Sequence, residues 1–347
     1  MQKFDHIFHY AEDFSLEAGG TLPGFQLKYT TLGTLNADRN NVIWICHALT
    51  GSSDFTDWWK ELFTNGSPFD PRDYFIICAN VLGGCYGSTG PLSVNPKTGK
   101  PYFHQFPTLT NRDVVSAFDL LRQHLRIQHV HTLLGGSLGG QQALEWAIVQ
   151  PAVFKNLIPI ACNAFHSAWG IAFNEAQRMA ITVDPTWKED DERAGSEGMK
   201  AARAMAMLSF RAYETYGQTQ SEKTGDKLDD FRAASYQRYQ GEKLAKRFNT
   251  FTYWLLTKFM DSHHVGRGRE SAQEALKKIR ANVLVIGIDS DILFPLSEQK
   301  FLAESIPGAQ LKVLSSLHGH DGFLVEFDQF KKTVTNFFRK EEEIKLS

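Results

Sequence analysis

Residues 130–140 read VHTLLGGSLGG and combine a strand signal with a turn motif. The apolar run has β-strand composition and leads into Gly-x-Ser-x-Gly, while residues 141–148 have the composition and spacing of a helix. Gly135 and Gly139 lack a Cβ atom, so the backbone can double back sharply around the serine. The pattern predicts a strand, a tight turn with Ser137 at its apex, and a helix whose N-terminal N–H groups face the serine.

The rest of the chain predicts the sheet around this turn. Short continuous apolar runs are typical of strands buried on both faces, and most of them alternate with helical patterns. Besides the run before Ser137, these strand candidates are residues 42–46, 74–80, 156–161, 282–288 and 310–314. Residues 25–33 favour an antiparallel edge strand. We therefore expect an α/β fold with a mostly parallel central sheet and helices on both faces.

The alternation of strands and helices stops between residues 164 and 278, which contain helical patterns and no convincing strand. The helical stretches lie near residues 173–181, 198–216, 231–247 and 250–261, with loops at residues 185–197 and 217–226. We predict a first part of the core at residues 1–163, a helical lid insertion at residues 164–278, and a second part of the core at residues 279–347. Residues 81–106 have no periodicity and predict a long loop near the functional site.

Charge and hydropathy exclude several classes of partner. The 347 residues include 37 Lys and Arg against 39 Asp and Glu, for a formal net charge of −2, and no long basic tract occurs. This balance predicts no nucleic-acid or membrane partner and favours small-molecule substrates. No stretch is long and apolar enough to span a bilayer, and the N-terminus has no apolar signal region, so we expect a cytoplasmic protein.

The cysteines and histidines do not predict a metal site. Cys46, Cys78, Cys85 and Cys162 lack metal-binding spacing and are expected to be reduced. The adjacent pair at residues 263–264 cannot present both imidazole rings on one face of a helix. We therefore expect no bound metal.

A serine at such a turn needs a base and an orienting carboxylate to act as a nucleophile. Asp289 and Asp291 follow the strand predicted at residues 282–288, and His318 and His320 follow the strand predicted at residues 310–314. The order Ser, Asp, His, with the acid and the base in loops after late strands, is that of α/β-hydrolases. Spacing alone does not choose between the two aspartates or between the two histidines.

The loop after the first buried strand predicts the groups that stabilise an oxyanion. Residues 47–51 read HALTG directly after residues 42–46. In an α/β-hydrolase, this loop provides one backbone N–H, and the residue after the nucleophile provides the other. The two expected donors are the N–H groups of Leu49 and Leu138.

Seven motifs resemble those of the homoserine O-acyltransferases in the α/β-hydrolase superfamily. They are HALTG at residues 47–51, ANVLGGCYGSTGP at 79–91, GGSLGGQQALEWA at 135–147, FNEAQR at 173–178, RYQGEK at 238–243, DSDILFP at 289–295 and GHDGFL at 319–324. The resemblance implies an α/β-hydrolase fold and acyl transfer from an acyl-CoA to L-homoserine in methionine biosynthesis. It implies acetyl-CoA as co-substrate, an acyl-serine intermediate in a ping-pong reaction, and no permanently bound cofactor.

The resemblance also implies roles for individual residues. Asp291 would orient His320, and His320 would be the base for Ser137. Asp321 would pair with the ammonium of homoserine, and Arg203 would bind its carboxylate. A zwitterionic amino acid needs one anion and one cation at opposite ends, and a guanidinium can hold a carboxylate through two hydrogen bonds.

Several alternatives remain open at this point. Arg178 and Arg211 are rivals for the carboxylate site, and Phe210 stands where the family is expected to have a tyrosine. The donor could be succinyl-CoA, and the acceptor could be L-serine. A serine esterase or thioesterase would use water instead, and a non-catalytic relative would only bind ligands. The apolar lid helices are compatible with a homodimer.

Overall fold

The computed structural model describes residues 2–346, with side chains described to residue 340; Met1 and Ser347, the outer ends of the two predicted core parts, lie outside the described residues. The strands are β1 (Phe4–Ser15), β2 (Thr21–Leu32), β3 (Val42–Cys46), β4 (Phe75–Ala79), β5 (Val130–Gly136), β6 (Phe154–Ile160), β7 (Asn282–Ile288) and β8 (Gln310–Leu314). The helices are α1 (Phe55–Trp58), α2 (Asn111–His124), α3 (Leu138–Val149), α4 (Ala168–Thr182), α5 (Ser196–Phe210), α6 (Tyr213–Gln220), α7 (Arg232–Ala245), α8 (Thr250–Asp261), α9 (Ala272–Leu276), α10 (Leu296–Ser305) and α11 (Phe327–Leu346). Short 3₁₀ segments occur at Lys60–Phe63, Phe103–Gln105 and Gly319–Leu324.

The strands form one sheet in the order β1-β2-β4-β3-β5-β6-β7-β8. The β1–β2 and β2–β4 pairs are antiparallel, and every pair from β4 to β8 is parallel. The mostly parallel sheet predicted from the apolar runs is therefore confirmed. The predicted antiparallel edge strand at residues 25–33 is part of the longer β2.

Side chains of each inner strand alternate between two hydrophobic cores, because successive residues of a strand face opposite sides of the sheet. Trp44 packs edge-to-face on Trp146 of α3, with ring centroids 4.9 Å apart. Ile43 and Ile45 belong to the opposite core, which includes Phe330 of α11. Helices therefore cover both faces of the sheet, as expected.

Between β6 and β7, the described chain contains helices α4 to α9 and no strand. The helix expected across residues 198–216 is instead two helices, because the backbone is extended at Arg211 and Ala212. The break lies against the loop after β8, where a Cβ atom on Gly319 would come within 2.8 Å of the Ala212 nitrogen. Helix α6 also continues through Gly217 to Gln220, so the loop predicted at residues 217–226 begins at residue 221 instead. Among the described residues, no helix combines the length and apolar character that crossing a membrane requires.

The long loop at residues 81–106 is tied to the sheet by hydrogen bonds. The Ser88 hydroxyl donates to the Asn80 carbonyl oxygen at 2.7 Å, and the Thr89 N–H donates to the Gln26 carbonyl oxygen at 2.9 Å. An isolated bridge between Val94 and Pro101 closes its far end. These contacts place the first part of the loop beside β2 and the carboxyl end of β4.

The turn between β5 and α3 leaves no space for side chains at its glycines. A Cβ atom on Gly139 would overlap the carbonyl oxygen of Cys46, and one on Gly135 would overlap the backbone of Gly139 itself. A Cβ atom on Gly140 would come within 2.6 Å of the Cys162 sulfur. The N-terminal turn of α3 can therefore lie directly on the ends of β3 and β5 because these positions are glycine.

This packing gives a prediction for stability. Gly139→Ala is expected to lower the free energy of unfolding by more than about 2 kcal/mol, since the new methyl group must displace backbone atoms of β3. Urea denaturation of the purified variant measures the change. The matched control is Gly217→Ala on α6, where nothing lies within 4 Å of the added Cβ atom, and which is expected to be neutral or stabilising by up to about 1 kcal/mol. Equal stability of the two variants would contradict the prediction.

Candidate active site

Ser137 lies at the strained apex of the turn between β5 and α3. Its backbone has φ 57° and ψ −124°, a combination that non-glycine residues rarely adopt and that costs on the order of 1–3 kcal/mol. The turn is held by hydrogen bonds from the Ser137 N–H to the Ile160 carbonyl oxygen at 2.9 Å and from the Gln141 N–H to the Ser137 carbonyl oxygen at 3.1 Å. Such strain at a single serine is typical of a functional position.

Asp291 and His320 form a buried pair. Nδ1 of His320 lies 2.6 Å from Oδ2 of Asp291. The other carboxylate oxygen accepts hydrogen bonds from the N–H groups of Leu293 and Phe294 at 2.8 and 2.9 Å. These bonds fix the carboxylate, and a stacking contact with the Phe294 ring, at 5.1 Å between centroids, fixes the imidazole. The pairing leaves Nε2 of His320 as the ring atom that is free to act on a second group.

The other aspartate and histidine that the sequence left open have different surroundings. Oδ1 of Asp289 accepts the N–H of Ser316 at 2.9 Å, which joins the loops after β7 and β8. The backbone N–H of His318 donates to the Ser316 hydroxyl at 3.1 Å. Both residues therefore support the loops that hold the Asp291–His320 pair.

The electrostatics of this pair favour a charged histidine. Burial disfavours the imidazolium, but the charge of Asp291 and its hydrogen bond outweigh that effect and raise the pKa of His320 above its ordinary value. The pair can therefore take up a proton and stabilise it at a buried position.

Ser137 and His320 line the same cavity, which has a volume of about 580 Å³. Leu49, Arg203 and Asp321 also line it. A second recess of about 20 Å³ touches Ser137 from another side and is lined by apolar side chains and by the amides of Asn174 and Gln177. The sequence-predicted residues at positions 49, 137, 203, 320 and 321 thus meet in one cavity.

The loop at residues 47–51 is held in place by a neutral histidine. Nε2 of His47 accepts the N–H of Val81 at 3.0 Å, and Nδ1 lies 2.8 Å from the Ala48 carbonyl oxygen. Burial lowers the pKa of His47 to about 4, so the ring stays neutral and keeps one donor and one acceptor. Leu49 is thereby held beside Ser137. Leu138 is the first residue of α3, so its N–H has no acceptor within the helix.

Arg203 differs from its two rivals in its partners. Arg178 forms ion pairs with Glu175 and Asp261, at 2.6 and 2.5 Å. Arg211 forms an ion pair with Asp321, with 2.8 Å between Nε and Oδ2. Among the described residues, Nε and Nη1 of Arg203 are buried and have no hydrogen-bond partner. Nη1 of Arg178 and Nε of Arg211 also lack a hydrogen-bond partner, but these two guanidiniums have the ion pairs given above.

The guanidinium of Arg203 lies against an aromatic ring. Its guanidinium carbon lies 5.1 Å from the centroid of the Phe210 ring, which is a cation–π contact. Burial lowers the pKa of Arg203. Phe210 thus supports the guanidinium without contributing a hydroxyl where the family resemblance implies a tyrosine.

The sequence did not identify three features of the cavity. The Arg211–Asp321 pair joins a residue between β6 and β7 to a loop residue 110 positions later, and no local pattern reports such a contact. Lys243 and Arg247 also line the cavity. Arg247 donates to the Thr50 carbonyl oxygen at 2.8 Å and to the Tyr86 hydroxyl, so it connects the segment between β6 and β7 to residues 47–51 and 81–106.

The described part of the chain also has the side-chain types that a metal site or a reactive thiol requires. The described His, Cys, Asp and Glu side chains contain no group of three that could hold a metal ion. The four cysteines are free, and Cys46, Cys78 and Cys162 are buried. Burial raises the pKa of Cys85 to about 12, so its thiolate is scarce at neutral pH.

Comparisons with known proteins give the family. A family model described as the alpha/beta hydrolase fold matches residues 41–327. The homoserine O-acetyltransferase of Cyclobacterium marinum is 50% identical over 338 residues, which cover 97% of this chain and 96% of that protein. The chain belongs to the homoserine O-acetyltransferase family. The homoserine O-acetyltransferase of Chlorobaculum parvum is 46% identical over 340 residues, covering 96% of this chain and 94% of that protein.

Solved structures of other proteins share the fold of this member of the homoserine O-acetyltransferase family. The homoserine O-acetyltransferase of Bacillus anthracis superposes with a TM-score of 0.90 at 26% identity, covering 97% of this chain and 98% of that one. Esterase E22 superposes with a TM-score of 0.87 at 23% identity, covering 97% and 100%, a likeness that shows the fold alone. The α/β-hydrolase fold expected from the sequence is confirmed.

The buried pair gives a prediction that nuclear magnetic resonance can check. In a pH titration of labelled imidazoles, the pKa of His320 is expected above 6.5, and Asp291→Asn is expected to lower it, because burial then acts without the compensating charge. Asp289→Asn is the matched control and is expected to leave the titration of His320 nearly unchanged, since Asp289 bonds to the Ser316 N–H instead. The same His320 titration in both variants would contradict the pairing.

Proposed function

We propose that this protein transfers the acetyl group of acetyl-CoA to the hydroxyl of L-homoserine through an acyl-serine at Ser137. The observation that carries the proposal is one cavity that contains a serine, a carboxylate-paired imidazole, a guanidinium with two nitrogens that lack hydrogen-bond partners, and a carboxylate. Membership of the homoserine O-acetyltransferase family supports it. The product would supply methionine biosynthesis, as the family resemblance implies.

In the first half of the reaction, Ser137 is acylated. Nε2 of His320 takes the hydroxyl proton as Oγ attacks the thioester carbonyl, and Asp291 stabilises the imidazolium. The N–H groups of Leu49 and Leu138 stabilise the oxyanion, each contributing about 3 kcal/mol to the transition state. The carbon–sulfur bond then breaks, and His320 gives its proton to the departing thiolate. Acyl-serine and free CoA result.

In the second half, the hydroxyl of homoserine attacks the acyl-serine. His320 takes the proton of that hydroxyl, the same two N–H groups hold the second oxyanion, and Ser137 leaves with the proton returned by His320. The acetyl ester of homoserine is released, and no oxidant, metal or further reactant is needed. Because His320 must be neutral to accept each proton, its raised pKa predicts activity that increases with pH through that pKa.

The acceptor would be held by its two charges. Arg203 would bind the carboxylate, since its buried Nε and Nη1 lack other partners. Asp321 would bind the ammonium from the wall of the same cavity. L-Serine carries both charges but is one methylene shorter, so its hydroxyl would fall short of the acyl-serine when both ends are held.

The acyl donor would have a small acyl group and would carry negative charges in the rest of the molecule. The recess beside Ser137 measures about 20 Å³, which suits a methyl group better than the carboxyethyl group of a succinyl donor. Lys243 and Arg247 line the outer cavity and would attract the phosphates of CoA. Residues 164–278 would form the lid, because Arg203, Lys243 and Arg247 all reach the cavity from that segment.

Purified protein tests this function directly. Acetyl-CoA alone is expected to leave one acetyl group on Ser137, detected by mass spectrometry of the peptide, and added L-homoserine is expected to remove it as O-acetylhomoserine. Ser137→Ala is expected to lose the adduct and to reduce turnover by at least about 10⁴-fold. Succinyl-CoA and L-serine serve as the competing donor and acceptor. Release of acetate at the same rate with and without homoserine would favour an esterase or thioesterase, and absence of any adduct would favour a binding protein.

Arg203 gives a separate prediction about the acceptor. Arg203→Gln is expected to lower kcat/KM for homoserine roughly 10- to 100-fold, the usual effect of losing a hydrogen bond to a charged group, while acylation of Ser137 by acetyl-CoA continues. Arg203→Lys keeps the charge and is expected to lower kcat/KM for homoserine less than Arg203→Gln does. Steady-state kinetics with varied homoserine measure both variants. Equal losses in the rate of acylation of Ser137 and in kcat/KM for homoserine would contradict a role of Arg203 in the acceptor site.

We also propose a homodimer formed through the lid helices. Helices α4 and α5 and the residue after α4 expose large apolar side chains, among them Met179, Leu208 and Val183, which are 61%, 54% and 80% exposed. Such side chains favour association when they lie together on one surface. Sedimentation of the protein and of a Val183→Asp variant measures the oligomeric state, and a monomeric parent protein would refute the proposal.

A further inference from the structure

The break between α5 and α6 rests on the loop that carries His320. Gly319 approaches the backbone of the break so closely that a Cβ atom would lie 2.9 Å from the Arg211 carbonyl carbon. The Thr215 hydroxyl donates a hydrogen bond to the Leu317 carbonyl oxygen. Arg211 itself forms the ion pair with Asp321, the residue after His320. Three separate contacts thus join the lid to this loop.

Asp321 takes part both in the cavity and in an ion pair outside it. It lines the cavity together with Ser137 and His320, whereas Arg211 is not among the described residues that line it. The side chain of Asp321 is 16% exposed and that of Arg211 is 25% exposed, so water screens their attraction only in part. Arg211 can therefore hold Asp321 from outside the cavity without contacting a substrate inside it.

The charge of Asp321 depends on the groups that surround it. Burial raises the pKa of Asp321, while Arg211 lowers it most strongly among the neighbouring cations, followed by His320 and Arg203. Asp291, in the loop after β7, acts in the opposite direction as a second anion. Of these cations, Arg203 and His320 already have roles in the proposed reaction, and Arg211 is the one that is left for holding Asp321.

We propose that Arg211 is a positioning residue that keeps the carboxylate of Asp321 charged and directed at the acceptor's ammonium group. The inference rests on the proposed function and deepens it, because it explains how an anion is maintained in a buried cavity beside another carboxylate. Removing Arg211 would weaken the acceptor site and leave the acylation of Ser137 largely intact. A merely structural ion pair would instead affect both half-reactions alike, or neither.

The test compares four variants of the full chain with the parent protein. Arg211→Gln removes the charge, and Arg211→Lys keeps the charge but loses the geometry of the guanidinium. Thr215→Val removes the neighbouring contact between lid and loop without changing any charge. Arg238→Gln is the matched control, since it removes an arginine from an exposed lid ion pair with Asp230.

Each variant is measured in two half-reactions. Acylation of Ser137 by acetyl-CoA is followed by rapid-quench mass spectrometry, and transfer to homoserine is followed by steady-state kinetics from acidic to neutral pH. Arg211→Gln is expected to raise KM for homoserine about tenfold and to change the acylation rate by less than about twofold, in line with the loss of a charge-assisted contact. Its acid limb for homoserine is expected to move to higher pH relative to the acid limb of its acylation rate, which His320 sets, because Asp321 loses the cation that favours its charged form.

The other variants distinguish the effect of the position of Asp321 from the effect of its charge. Arg211→Lys is expected to raise KM for homoserine several-fold with little movement of the acid limb, and Thr215→Val is expected to leave the acid limb in place. Unchanged KM and pH profile in Arg211→Gln, or an equal loss in both half-reactions, would overturn the inference. If that variant does not fold, a parent-like KM in Arg211→Lys would overturn it. Absence of an acyl-enzyme in the parent protein would instead count against the proposed function.

Discussion

The close approach of α3 to the end of β3 is the constraint on which the site depends. Gly139 lies against the Cys46 carbonyl oxygen with no room for a Cβ atom, so the first turn of the helix begins directly at the sheet. Directly before Gly139, the backbone of Ser137 adopts its strained conformation and Leu138 begins the helix. The nucleophile and the expected donor at Leu138 are therefore held by backbone packing, whereas the loop with Leu49 is also held by His47 and by Arg247.

The charged side chains of this cavity differ in the hydrogen-bond and ion-pair partners that they have. Asp291 has two backbone N–H groups and an imidazole, and Asp321 has Arg211. Buried donors without partners cost on the order of 1–3 kcal/mol, so proteins rarely keep them without a reason. Arg203 keeps two such donors on the wall of the cavity. The simplest physical account is a ligand with a negatively charged, hydrogen-bond-accepting group.

The sequence predicted those features whose cause is local. The apolar runs predicted the parallel strands, and residues 130–148 predicted a strand, a turn at Ser137 and a helix, as the structure has them. The choice of Asp291 over Asp289 was not available from spacing, because it depends on which loop carboxylate meets the imidazole in space. The break in the lid at Arg211 was missed for a related reason. Residues 198–216 have helical composition throughout, and contact with the distant Gly319 coincides with the interruption.

The fold and the lid divide the proposed reaction between them. Ser137, the loop at residues 47–51 and the Asp291–His320 pair belong to the sheet and its loops, and this machinery suits any acyl transfer, including the transfer to water in an esterase of the same fold. Arg203 and Arg211 come from the segment between β6 and β7, where Arg203 would bind the carboxylate of the acceptor and Arg211 would hold Asp321 of the loop after β8. Specificity for an amino acid would therefore depend on this segment and on that loop together. Since Arg211 pairs with Asp321, the residue after His320, this segment also contacts the loop that carries the proposed base.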